Sequence, residues 1–112
     1  MSDSVIWGIR TYKLFLYAGT YEVYDHRVKG LIILNEAGGE REVYAYFTDG
    51  PPPEGLRIVN ERYIVWYEFD QFHPLMEMLR EEKPIYIQYF EGDRKYLTIA
   101  TAAEPVGEGE DK

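Results

Sequence analysis

Two strand-forming runs separated by only two residues constrain this chain more than any other feature. Ile85-Tyr86-Ile87-Gln88-Tyr89-Phe90-Glu91 and Arg94-Lys95-Tyr96-Leu97-Thr98-Ile99-Ala100 flank Gly92-Asp93. A glycine leading a two-residue loop suits a type II′ turn, whose twist matches the strands it joins. That register sets Glu91 opposite Arg94, Tyr89 opposite Tyr96 and Ile87 opposite Thr98, so a charge pair and an aromatic pair fall across the ladder.

The same signature recurs upstream. Val28 to Glu36 and Arg41 to Phe47 flank a turn centred on Gly38-Gly39, which pairs Glu36 with Arg41, Leu34 with Val43 and Ile32 with Ala45. A third hairpin is expected at Ala18-Gly19, joining Tyr12–Tyr17 to Thr20–Tyr24. A fourth is expected at Asn60-Glu61, joining Leu56–Val59 to the aromatic run Tyr63–Phe69. Val5 to Arg10 alternates around Trp7 and reads as a further strand, or as an extension of the Leu14 strand bent at Gly8.

One helix interrupts the strands. Phe72, Leu75, Met76 and Leu79 sit at i, i+3, i+4 and i+7 and make one apolar stripe. The stripe predicts a helix over about 70–82, with Asp70 as N-cap, Pro74 in its first turn and Lys83-Pro84 as its end. Together these segments predict a mainly β fold: an antiparallel, hairpin-built barrel or two-layer sheet of about eight strands, with the helix before the last hairpin. Residues 1–102 are expected to form one globular β-rich domain. Residues 103–112, rich in Gly, Glu and Pro, are expected to be a disordered acidic tail.

Charge and composition narrow the function. The net charge is −8, of which the tail's four acids and one base supply −3, leaving −5 for the rest. Such a field disfavours phosphate, so nucleic acid is not an expected partner. No apolar run approaches the ~20 residues a membrane helix needs. The chain holds no cysteine and begins Met1-Ser2-Asp3-Ser4 without basic residues. No disulfide or secretory leader is therefore expected, and the location predicted is the cytoplasm. Two Asn, two Gln and no Cys, beside 14 Glu, form a bias that resembles thermophile proteins.

Residues able to carry chemistry are few. The only serines, Ser2 and Ser4, lie in an expected frayed terminus, so no nucleophilic triad is indicated. Ala37-Gly38-Gly39-Glu40 lacks a following helix and a lysine, so it is a hairpin turn and not a phosphate loop. His73 and Glu77 fall on one helical face and His26 in a short connection, a spacing too loose to predict a metal, and no cofactor is expected. Glu68, embedded in an aromatic run, joins His26 and His73 as pocket candidates should the barrel interior bind a small molecule or do catalysis. The proline segment Asp49–Gly55 reads as a stiff connector.

The aromatic excess says more: 11 Tyr, 5 Phe and 2 Trp. The strands around Trp66 and Tyr89 are apolar on both faces, whereas a lone barrel buries one. Trp66, Tyr86, Phe90, Tyr44 and Tyr46 are therefore the expected contacts of a second surface that meets a protein partner or another copy in a homodimer. The predicted role is a non-enzymatic binding or assembly module. A second possibility is an acidic decoy that occupies a nucleic-acid-binding protein.

Overall fold

The computed structural model describes residues 3–101; the expected acidic tail lies outside the described residues. Its elements are β1 (Asp3–Val23), β2 (His26–Glu36), β3 (Glu42–Thr48), β4 (Arg57–Val59), β5 (Arg62–Glu68), α1 (Phe72–Glu81), β6 (Ile85–Glu91) and β7 (Lys95–Thr101). A 3-10 turn over Phe69–Gln71 leads into α1. The seven strands form one mixed sheet in the order β4-β5-β3-β2-β1-β6-β7. The fold is mainly β, as the hairpin pattern requires. Among the described residues it has seven strands rather than about eight, and β4 and β7 remain as edges, so the described sheet does not close into a barrel.

The missing strand comes from the third expected hairpin. Ala18-Gly19 is not a turn: β1 runs straight through it, and a register shift between Leu16 and Tyr21 absorbs the extra residues as a bulge. The reversal falls instead at Tyr24-Asp25, with φ of 48° and 66°, the pair of left-handed residues a type I′ turn needs. Glycine at Gly19, φ 134°, serves the bulge. Ser4, expected to fray, is a strand residue opposite Phe90.

β1 also changes partners along its length. Residues Asp3 to Gly8 pair with β6, and Ile9 to Val23 pair with β2, so the strand ties two parts of the sheet together. The Gly38-Gly39 hairpin keeps the expected register, Leu34 with Val43 and Ile32 with Ala45. The last hairpin does not. Glu91 pairs with Lys95 and Tyr89 with Leu97, because Gly92, Asp93 and Arg94 form a three-residue loop closed by the Gly92 amide donating to the Arg94 carbonyl at 3.1 Å. The one-residue slip turns Leu97 and Ile99 toward the core and Tyr96 outward.

β3 and β5 are parallel, an exception to all-antiparallel pairing. The proline connector carries the chain from the end of β3 past β5 to β4, and β5 then returns between them through the Asn60 turn, φ 58°. Buried Thr48 fastens this corner, its hydroxyl donating to the Gly50 carbonyl at 2.7 Å. Asp70 is not the helix cap: Gln71 occupies that place and makes no side-chain cap bond.

The core lies on the face covered by α1. Phe47 meets Phe72 edge-on at 5.0 Å, and Leu75 and Leu79 of the helix pack with Trp7, Ile32, Leu34, Val43, Ile87 and Tyr89 of the sheet. Leu31, Ile33 and Ile64 alternate with these core residues and so point to the opposite face, yet they too are buried, Ile64 to 1% exposure. Both faces of β2 and β5 carry packed apolar side chains.

Candidate aromatic interface

The buried layer on the outer face lies among a group of rings. Tyr44 and Tyr46 alternate with Val43, Ala45 and Phe47 on β3, and Trp66 alternates with Val65 on β5, which directs all three outward. Tyr46 stacks on Trp66 at 5.2 Å between centroids, and Tyr44 lies 6.2 Å from Tyr46. The bulge and type I′ turn bring the end of the β1–β2 hairpin against the same indole. His26 meets Trp66 edge-on at 5.2 Å and Tyr24 does so at 6.3 Å, while Tyr17 and Tyr21 lie 5.1 Å apart along β1.

Two guanidinium groups complete the cluster. Arg62 lies 4.1 Å over the Tyr44 ring and 3.5 Å from the Glu42 carboxylate, and Arg57 lies 4.5 Å over Tyr24. Each is a flat cation on a flat ring, an arrangement that fixes both side chains without removing them from solvent. Burial pushes the Tyr46 phenol up to about 12, helped by Tyr24, Tyr17 and Tyr44 and opposed by Arg62. Burial likewise raises Tyr17, with Tyr21 adding to it. The surface is therefore a patch of neutral phenol and indole rings bearing two guanidinium groups, one of them paired to the Glu42 carboxylate, set in an acidic chain.

Of the five aromatic residues expected at a partner surface, Tyr44, Tyr46 and Trp66 come together. Tyr86 and Phe90 do not join them, since β6 stands three strand positions from β3 in the sheet. They lie on a second patch, where Phe90 meets Tyr96 edge-on at 5.9 Å and Ile6 stands exposed on the neighbouring strand. Tyr17, Tyr21, Tyr24, Arg57 and Arg62 were not among the expected residues. Their alternation was visible, but the bulge and left-handed turn that bring Tyr24 onto Trp66 carry no such signal.

The pocket candidates do not converge. His26 is part of the aromatic cluster, Glu68 is exposed at the end of β5, and His73 sits on the solvent side of α1 with Nε2 at 3.3 Å from Glu77. An apolar groove between α1 and the sheet is lined by Tyr67, Gln71, Pro74, Leu75, Met78 and Ile99, and contains none of the three. Among the described residues, no three His, Asp or Glu side chains are placed to hold a metal ion. The carboxylates are spread over the turns, strand ends and helix, with Glu36 and Glu42 paired to Arg41 and Arg62. No described helix is long and apolar enough to cross a membrane. Comparison with protein-family models, with curated proteins and with solved structures finds no match for this chain.

Proposed function

We propose that the chain is a non-enzymatic binding module whose outer aromatic face associates with another protein. The observation that carries this reading is the Tyr46–Trp66 stack, ringed by Tyr24, His26, Tyr44 and the two ring-bound arginines on the face away from α1. Trp, Tyr and Arg are the residue types that dominate binding energy at protein interfaces. Here the stacking already holds them in place, so little side-chain freedom remains to be lost on association.

The test is an affinity comparison between the wild-type chain, Trp66→Ala and Phe90→Ala, using the immobilised chain and an extract of its source cells. The partner retained by wild type is identified and its Kd measured. Trp66→Ala is expected to weaken binding at least about 30-fold, the effect of losing a hot-spot anchor. Phe90→Ala on the separate patch should leave it unchanged. Equal retention by wild type and Trp66→Ala refutes the proposal.

A further inference from the structure

The change of partners along β1 leaves a long strand edge with nothing beside it. β6 pairs only with Asp3 to Gly8, and β2 occupies one side of Ile9 to Val23. On the other side of that stretch no described strand is paired. Thr11 to Leu16 is its regular part, bounded by register shifts at Ile9/Thr11 and Leu16/Tyr21. Its residues 14–16 are all apolar and all exposed: Leu14 39%, Phe15 39% and Leu16 70%. Three successive exposed apolar residues must show on both faces of the sheet, which marks a strand lacking a neighbour rather than a sheet lacking a cover.

We infer that this edge pairs with the same edge of a second copy. An antiparallel pair related by a two-fold axis through Leu14 places Leu14 against Leu14 and Tyr12 against Leu16 on the side that Tyr12 turns to the core. On the outer side it places Lys13 of each copy against Phe15 of the other. The one cation of the stretch thus meets a ring and never its own kind, so the edge is self-complementary. Any heterologous partner would have to supply this pattern, whereas a second copy carries it already.

The other edges fit less well. β4 is only three residues long. β7 is longer, but its Leu97 and Ile99 pack into the chain's own core. The dimer joins two sheets through one seam and leaves the Tyr46–Trp66 face free, so it is independent of the binding role proposed above.

The chain has no cysteine, which makes the test direct. Leu14→Cys is expected to form a covalent dimer rapidly on mild oxidation, and Thr98→Cys, at the middle of β7, is not. By light scattering the wild-type chain should have twice the 13.2 kDa chain mass. Leu14→Lys, which sets two ammonium groups face to face at an already exposed position, should weaken the dimer at least about 100-fold while keeping the wild-type circular dichroism. Mixing Leu14→Lys with Leu14→Glu should restore a mixed dimer. A wild-type monomer, a dimer indifferent to Leu14→Lys, or cross-linking through Thr98→Cys in place of Leu14→Cys would overturn the inference. Trp66→Ala should remain dimeric, which separates failure of this interface from failure of the aromatic one.

Discussion

Gly30 is the position where one added methyl group should do most harm. A Cβ there would stand 2.8 Å from Phe72 Cε1, 3.0 Å from Phe72 Cδ1 and 3.2 Å from the Phe15 carbonyl oxygen. The ring cannot swing away easily, because it packs edge-on to Phe47 at 5.0 Å and stacks on Phe69 at 5.3 Å. The contact with Phe15 is to backbone on the neighbouring strand, which cannot move without disturbing the ladder. Overpacking of this kind costs about 1–3 kcal/mol, against about 0.4–1 kcal/mol that alanine returns by restricting the unfolded chain. Gly30→Ala should therefore lose about 1–2 kcal/mol, or about 4–8 °C in Tm for a chain of this size. Thermal and urea unfolding measure it. The decisive comparison is in a Phe72→Leu background, where the two ring contacts are gone and only the Phe15 carbonyl contact remains, so the loss from Gly30→Ala should become clearly smaller. A neutral effect in the wild-type chain, or an equal loss in both backgrounds, would refute the reasoning.

Two further outcomes follow from side-chain chemistry. Tyr46 and Tyr89 are both held up to about 12 against the ordinary 10.0, Tyr89 by burial and by the Glu91 carboxylate that accepts its hydroxyl at 3.2 Å. Because the folded values lie above the unfolded one, stability is intact below about pH 10 and should fall as pH rises toward about 12, and a flat Tm across that window in a pH series would contradict the assignment. At the β2–β3 turn, the Glu36 carboxylate accepts from the Arg41 amide at 3.0 Å and its guanidinium at 3.1 Å, while that guanidinium lies 4.7 Å over Trp7. Glu36→Gln should cost about 1–2 kcal/mol and, in a Trp66→Phe background, shift the Trp7 emission, so unchanged emission would show that the carboxylate does not hold Arg41 in place.

How much of this was legible depends on whether the relevant force was local. The Gly38-Gly39 and Asn60-Glu61 hairpins were readable because turn chemistry and alternation agree over a few residues. The α1 stripe was readable because Phe72, Leu75 and Leu79 repeat at helical spacing and do face the core, whereas Met76, expected on the same stripe, is only half-buried and Met78 packs against the core instead. Ala18-Gly19 misled because glycine marks a bulge and a turn equally well, and the actual reversal uses Tyr24, a residue whose type gives no hint of φ 48°. The last hairpin slipped because Glu91 opposite Arg94 competed with a register that buries Leu97 and Ile99, and burial of two aliphatic side chains outweighs an exposed ion pair. The parallel β3–β5 pair depends on where the proline connector sets the chain down, which no local pattern encodes. For the interface, alternation identified Tyr44, Tyr46 and Trp66 and also sets Arg62 on the same face of β5, whereas Arg57 joins through the β4–β5 pairing and Tyr24 only through the bulge and left-handed turn of the β1–β2 hairpin.

The partner change in β1 also bears on the order in which the chain can assemble. Asp3 lies opposite Glu91 and Gly8 opposite Tyr86, so this part of β1 finds its β6 neighbour only after β2 to β5 and α1 have followed it in synthesis. The remainder of β1 pairs with β2, which comes immediately behind it. During synthesis the β1–β2–β3 segment can therefore zip before β6 is available, with Val5, Ile6 and Trp7 waiting unpaired at its end, and docking of β6 onto that waiting segment is the step that joins the β6–β7 hairpin to the sheet.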